Sequence, residues 1–272
     1  MMPIRPQPTR LQPTRPQPLS ALLEYLRADQ IRLVATDMDG TLTAQGEFTP
    51  DLLRAFEALA QRGIDVMIVT GRSAGWVSAL VNYLPVVGAI AENGGLYLDK
   101  PSNEPVILPD IPRMSRHRDR LSALFQKLQA RYPQLTPAAD NAYRLTDWTF
   151  DVAGLSDTDI AGIKAFCEAS KMGFTYSNVQ CHIQVDQQNK AAGLGSVLQT
   201  KFAHLSAAEV VTVGDSPNDE SLFNPARFPH SVGVANVSHY LEALAHRPAY
   251  ITHQPEVKGF LELVQCLLNV TD

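Results

Sequence analysis

Apolar residues first gather at positions 31–36, Ile-Arg-Leu-Val-Ala-Thr, a run of strand length that ends in Asp37-Met38-Asp39-Gly40-Thr41. A short apolar run bounded by turn residues is the pattern of a strand buried on both faces. Thr49-Pro50-Asp51 then reads as a helix start. It offers a capping hydroxyl, a proline in the first turn and an acid near the positive end of the dipole. Leu52, Leu53, Phe56, Leu59 and Ala60 supply an apolar face at helical spacing, and Gly63 suits the helix end. Residues 64–69 form the next buried strand and close on Thr70-Gly71-Arg72. A helix over 74–83 and a strand over 86–91 follow, stopping at Glu92-Asn93-Gly94-Gly95.

From Leu96 to about Asp186 the pattern changes. A proline-rich connection leads to a helix over 115–131, a strand over 143–152, a helix over 157–170 and a strand over 181–186. Beyond Lys190 the alternation resumes with a helix to about 202, a strand over 209–214 and a short helix near Glu220. A strand over 231–235, a helix over 237–245, a strand over 249–252 and an amphipathic helix over 256–268 complete the chain. Strands alternating with helices predict an α/β fold with a doubly wound parallel sheet. The middle predicts an α+β insertion at 96–187, within a core made of 21–95 and 188–272. Residues 1–20 carry Pro3, Pro6, Pro8, Pro13, Pro16 and Pro18 and a repeated Gln-Pro-Thr-Arg. Proline lacks the donor that ladders and helices need, so this stretch is expected to be a disordered or polyproline tail.

Composition narrows the function. A formal net charge of -5 argues against a nucleic-acid-binding surface, which usually reads basic. No apolar stretch approaches the roughly 18 residues of a membrane span, and the N-terminus has no signal-peptide core. Cys167, Cys181 and Cys266 have no regular spacing, which gives neither a disulfide framework nor a zinc pattern. Small buried thiols in a reducing compartment are the expectation, hence a soluble cytoplasmic protein. Oligomeric state is not readable from the sequence.

Ligands of open parallel α/β sheets bind at the carboxyl ends of the strands. Here those ends carry Asp37-Met38-Asp39-Gly40-Thr41, Thr70-Gly71-Arg72, Lys190 at a helix start, and Gly214-Asp215-Ser216-Pro217-Asn218-Asp219. Each alone has a plain reading as a turn, a cap or a solvated lysine. Their combination, in order and at strand ends, does not. Asp37 and Asp39 repel each other unless a cation or shared proton lies between them. That suits a site where one carboxylate attacks and the other handles the proton.

On these residues the chain resembles the haloacid dehalogenase superfamily of phosphohydrolases. Its members carry Asp-x-Asp-Gly-Thr, then Thr or Ser, then Lys, then Gly-Asp-x-x-Asn-Asp along one Rossmann-like core. The match covers about 31–95 and 188–255. The insertion and Glu92-Asn93-Gly94-Gly95 resemble the large C2-type cap and hinge of the Cof-type branch, class IIB, which includes sugar-phosphate phosphatases. The resemblance implies Asp37 as nucleophile, forming an aspartyl-phosphate, and Asp39 as proton donor and then general base. It implies Mg²⁺ held by Asp37, the main-chain carbonyl of Asp39 and Asp215, with Asp219 a further ligand or an orienting group. Thr70, Gly71, Lys190 and Asn218 are the implied phosphate binders, and Gly40 permits the tight turn. Long-lived phospho-enzymes such as transport ATPases resemble the first motif but have Thr where this chain has Asp39, which favours turnover by water.

The implied substrate is a small phosphate ester, a sugar phosphate above all. A phosphosugar mutase on the same core is the alternative, and a regulatory binder is a third reading that intact Asp37, Asp39, Lys190 and Asp215 oppose. Arg72 touches substrate or pairs with an acid. Asn93 serves the turn or the substrate. Arg144, Asp147, His182 and Gln184 of the cap are candidate substrate readers. His182 alternates with Ile183 and Val185 and so takes the opposite face, where solvent is the ordinary destination. Trp148 reads as core. His117 sits among Arg113, Arg116, Arg118 and Arg120, which read as a solvated helix face.

Overall fold

The computed structural model describes residues 15–23, 31–100, 102 and 104–269. The strands are β1 (Gln17–Pro18), β2 (Leu33–Thr36), β3 (Asp65–Val69), β4 (Gly88–Ala91), β5 (Leu96–Leu98) and β6 (Val106–Ile107). They continue with β7 (Trp148–Asp151), β8 (Gly173–Tyr176), β9 (Gln180–Gln184), β10 (Val210–Gly214), β11 (His230–Gly233) and β12 (Tyr250–Ile251). The α-helices are α1 (Ser20–Leu23), α2 (Pro50–Gln61), α3 (Ala74–Tyr83), α4 (Met114–Arg131), α5 (Asp157–Ala169), α6 (Lys190–Lys201) and α7 (Glu256–Leu268).

Nine strands form the main sheet in the order β1-β12-β11-β10-β2-β3-β4-β5-β6. Pairing is parallel from β1 through β4 and antiparallel at β4–β5 and β5–β6. Successive residues of β2 face opposite ways, as the pleat requires. Val34 packs with α2, α3 and α7 through Leu52, Phe56, Val77 and Phe260. Leu33 and Ala35 pack with α6 through Leu194 and Val197. Two apolar clusters sandwiching one sheet explain the uninterrupted apolar strand. In α2 the Thr49 side chain accepts from the Leu52 amide, as the capping pattern predicts. The buried stripe is Leu52, Ala55, Phe56 and Leu59, whereas Leu53 and Ala60 face outward. The helical period carries these two past the edge of the stripe.

The second sheet is antiparallel, in the order β7-β9-β8. Helices α4 and α5 cover one face, where Leu121, Phe125, Leu128, Ile163 and Cys167 meet Phe150, Cys181 and Ile183. Its other face looks toward the C-terminal ends of the main strands.

Several expectations need correction. Gln17 and Pro18 pair with Tyr250 and Ile251, and Leu19 and Leu22 are buried, so the end of the expected tail belongs to the core. Proline is tolerated there because β1 is an edge strand. The rest of that tail, 1–14, lies outside the described residues. β5 and β6 hydrogen-bond into the main sheet, although they were assigned to the insertion. The strand expected at 143–152 is confined to β7, preceded by a 3-10 turn, Ala139–Tyr143. The amides of Leu145 and Thr146 are taken by the Glu92 carboxylate and are lost to a ladder. The helix expected at 237–245 is a 3-10 turn, Ala235–His239, in which the Asn236 side chain donates to Gly40 O and Asp215 Oδ2. β8 was not anticipated; its half-buried Gly-Phe-Thr-Tyr carries no strong alternation. Among the described residues no helix is long and apolar enough to cross a membrane.

Candidate active site

β10, β2 and β3 are neighbours at the centre of the sheet, so their exits bring Asp215, Asp37 and Thr70 together. The Asp37 amide donates to Val213 O at 2.9 Å, carrying the ladder one residue past β2 and fixing the Asp37 backbone. Lys190 opens α6, whose start is capped by the Asn189 side chain accepting from the Ala192 amide. Its ammonium is fully buried and donates to Asp37 Oδ1 at 2.5 Å and to Asp219 Oδ1 at 2.6 Å. Burial alone pulls the Lys190 ammonium down, but Asp219 and Asp37 outweigh it and the net direction is up. Burial pushes the Asp37 carboxyl up to about 7, with Lys190 opposing and Asp219 and Asp39 adding repulsion. Burial, then Asp37 and Asp219, drive Asp215 well above the ordinary carboxylate range.

Oxygens of Asp37, Asp215 and Asp219 lie within 4.8 Å of one another. Asp219 Oδ2 accepts from the amides of Asp215 at 2.9 Å and Ser216 at 3.1 Å. Both Asp219 oxygens are thus in use, which makes it an anchor for Lys190 and the turn. Thr41 Oγ1 and Asn236 Nδ2 donate to Asp215 at 3.3 and 2.8 Å. A buried all-oxygen set with fewer positive charges than carboxylates suits a hard divalent cation, and Mg²⁺ fits that donor chemistry. Gly40 has φ +81°, and a Cβ there would lie 2.5 Å from Asp215 Oδ2. The turn therefore requires glycine for both its backbone and its proximity.

The side chain of Asp39 stands apart from this set. Arg72 donates to it twice, from Nε at 2.8 Å and Nη2 at 2.6 Å, and stacks over the Trp76 ring at 4.6 Å. Of the two readings of Arg72, the unliganded structure displays the acid pairing, and the guanidinium also lines the cleft. Thr70 and Gly71 line it too, with Asp37, Asp39, Ser216 and Asn218. Asn218 Nδ2 donates to Asn93 Oδ1 at 3.0 Å. Asn93 has φ 52° and is buried, so it serves a turn and braces Asn218.

The cap closes the other side. The hairpin turn between β8 and β9 presents Ser177, Asn178 and Val179, and β9 presents Gln180 and His182. His182 is 2% exposed, contrary to the solvent-facing expectation, because the open face of the cap sheet abuts the core. Cys181 and Ile183 fill the cap interior while His182 and Gln184 point the other way. His182 Nδ1 lies 2.8 Å from Asp147 Oδ2. Arg144 donates to both Asp147 oxygens at 3.0 Å, to Asp140, to Gln180 Oε1 and, across the domain boundary, to Gly71 O at 2.9 Å. Burial works to raise the Asp147 carboxyl, but Arg144 and His182 prevail and hold it below the ordinary range.

The basic stretch is solvated at Arg113, Arg116 and Arg120, as expected, but His117 and Arg118 are half-buried against the cap loop. His117 Nε2 meets Thr146 O at 2.7 Å, Arg118 donates to Asp147 O and Asn141 O, and Arg120 donates to Ser170 O and Lys171 O. Loop carbonyls that no strand satisfies recruit these cations. Trp148 packs beside Phe125, with ring centroids 5.8 Å apart, and beneath Arg118, consistent with a core role.

Sequence reasoning did not assign site roles to Ser177, Asn178, Gln180, Ser216 or Asn236. Only the polar run at 177–180 between two short strands hinted at the hairpin turn. It also treated Glu92 as a hinge residue only. Glu92 is fully buried and accepts from the Ala74 amide of the core and from the Leu145 amide, the Thr146 amide and the Thr146 hydroxyl of the cap segment. Burial, reinforced by Asp147, pushes its carboxyl up to about 7 against those donors.

A parallel α/β core with its acidic cluster at the strand ends, roofed by a second domain, defines the class of capped phosphohydrolases. A family model described as haloacid dehalogenase-like hydrolase matches residues 34–147. Phosphoglycolate phosphatase 1 of Saccharolobus solfataricus is 30% identical over 243 residues, spanning 88% of this chain and 96% of that protein. A crystal structure of Thermoplasma acidophilum 0175 superposes with a TM-score of 0.70 at 20% identity, covering 88% of this chain and 98% of that one. The sucrose-phosphatase of Synechocystis, solved with sucrose and phosphate, has a TM-score of 0.63 at 18% identity, covering 89% and 98%. The chain belongs to the haloacid dehalogenase-like hydrolases of Cof type and is a phosphatase.

Proposed function

We propose that the protein is a Mg²⁺-dependent phosphatase that hydrolyses a small phosphorylated metabolite of the sugar-phosphate class through an aspartyl-phosphate on Asp37. The observation that carries this reading is the buried Lys190 bridging Asp37 and Asp219 at the strand ends, with the Arg72-held Asp39 lining the same cleft as Asp37. A carboxylate approaching a phosphate dianion meets repulsion, and Lys190 neutralises part of it. Held by Asp37, Asp215 and the Asp39 carbonyl, with Asp219 behind them, Mg²⁺ would supply the remaining charge neutralisation.

In the first step Asp37 bonds to phosphorus and the ester oxygen leaves, taking a proton from Asp39. In the second, Asp39 takes a proton from water, the water oxygen bonds to phosphorus, and Asp37 is released with inorganic phosphate. Thr70, Gly71 and Asn218 hold the phosphate oxygens, and Arg72 orients Asp39. The domain at 114–185 acts as the substrate-reading cap and excludes water over the phosphate. The cleft is walled by Asp37, Asp39, Thr70 and Arg72 of the core and by Ser177, Asn178, Gln180 and His182 of the cap. Three free, buried thiols fit a reducing, cytoplasmic setting.

The test is phosphate release from a panel of sugar phosphates, glycerol phosphates, 2-phosphoglycolate and an aryl phosphate, with Mg²⁺ and with EDTA. Release that EDTA silences is expected. Activity that survives EDTA removes the metal from the reading. An isomerised ester in place of free phosphate turns it into a mutase.

A further inference from the structure

Of the three carboxylates in the acidic cluster, Asp215 is the one whose side-chain partners among the described residues are all neutral. Lys190 donates to Asp37 and to Asp219. Asp215 instead accepts from the Thr41 hydroxyl at 3.3 Å and from the Asn236 amide at 2.8 Å. Neutral donors orient a carboxylate without cancelling the charge that attracts a cation. The shorter of the two bonds comes from Asn236, which stands just past the exit of β11, the neighbour of β10 in the sheet.

Main-chain groups dictate how this amide is turned. Gly40 O, at 3.0 Å, can only accept, so it faces the NH₂ group. The Glu256 amide, at 3.0 Å, can only donate, so it faces Oδ1. Both hydrogens of the NH₂ group are then spent, one on Gly40 O and one on Asp215 Oδ2. The peptides on either side of Gly40 are both pinned. The Gly40 amide donates to Thr43 Oγ1 at 3.1 Å, and across a trans peptide that direction also sets the Asp39 carbonyl. Gly40 O, held by Asn236, sets the next peptide. Asn236 therefore ties the Asp215 carboxylate to the turn that carries the Asp39 carbonyl. Its anchor, Glu256, opens α7 with φ 54°, a conformation that non-glycine residues rarely adopt. Such a residue persists where its surroundings over-determine it, as functional sites often do.

We propose that Asn236 is a positioning residue for the divalent cation: it holds the Asp215 carboxylate at a fixed place relative to the Gly40 turn, and so sets both the affinity for Mg²⁺ and the preference for Mg²⁺ over larger ions. This rests on the metal-dependent phosphatase reading above. Mg²⁺ demands near-octahedral oxygens at about 2.0–2.1 Å, whereas Ca²⁺ accepts looser arrangements at about 2.3–2.6 Å. A carboxylate left free to swing therefore costs Mg²⁺ more than Ca²⁺. Removing a neutral amide changes no charge in the cluster, so any loss of binding reports on geometry.

The test titrates the metal-free full chain with Mg²⁺ and, separately, with Ca²⁺ by isothermal calorimetry, with no substrate present. Asn236→Ala should raise the Mg²⁺ Kd about 10- to 100-fold. The Ca²⁺ Kd should rise less, so that the preference for Mg²⁺ falls at least about 5-fold. Urea unfolding in EDTA checks that the variant is folded. If it is not, Asn236→Ser, whose Oγ takes the place of Cγ one bond short of the amide nitrogen, replaces it with the same expectation. An unchanged Mg²⁺ Kd overturns the assignment and leaves Asn236 a brace for the fold. Equal losses for the two ions overturn it as well. A wild type that binds no Mg²⁺ would instead sink the metal-dependent reading, and this proposal with it.

Discussion

Lys190 is the residue on which the acidic cluster depends for its fold. It is fully buried, and three carboxylates surround it or one another within 4.8 Å. Removing one partner of a buried ion pair leaves uncompensated charge and costs about 3–5 kcal/mol. Lys190→Met should lower the free energy of unfolding measured in urea by that order in EDTA, and millimolar Mg²⁺ should restore part of the loss. No recovery with Mg²⁺ would separate the cluster from cation binding. Asp37→Asn keeps the shape and a neutral partner for Lys190 but removes the attacking group. It should unfold cooperatively like the wild type and release no phosphate above background. At this scale the strand-end residues were legible because they sit where apolar runs stop. His182 was not: alternation told which residues it opposed, but not that its face would meet the core instead of water.

At the scale of elements, the junction between sheet and cap hangs on Glu92. One carboxylate satisfies the first amide of α3 and three donors of the segment before β7. Its carboxyl titrates near 4.5 when unfolded and at about 7 in the fold, burial being the main cause. Between those values the folded state keeps a proton that the unfolded chain has lost, so this contribution to stability falls as pH rises from about 4.5 to about 7. Glu92→Gln cannot titrate. Urea midpoints should show the wild type losing ground to the variant across that window and levelling off above about 7. A constant difference would mean that Glu92 does not change protonation on folding. Most elements were readable from period and capping, α2 and α7 among them. One of those that were misread had lost backbone partners to a side chain. The Glu92 carboxylate shortened β7, and the Asn236 amide stands in a turn where a helix was expected.

For the whole molecule, the two sheets meet across the cleft, while the far edge of the main sheet is completed by the residues just before the core. Leu19 and Leu22 are buried against the cluster that contains α7. Deleting residues 1–23 should destabilise the protein by about 2–5 kcal/mol through lost apolar burial. kcat and KM should stay unchanged, because β12 and β11 separate that edge from β10 and the acidic cluster. A changed KM would reveal a role for the edge in the cleft. The order of apolar runs and helical faces determined the parallel sheet. The polar residues at its strand ends determined the chemistry, since both patterns are local and repeat with the pleat or the helical turn. Only the tertiary structure decided which cap groups reach the phosphate loop, that Arg72 grips Asp39, and that Asn178 and His182 share a cavity with Asp37. Those pairings join residues far apart in the chain, and their geometry depends on how two separately folded layers come to rest against each other.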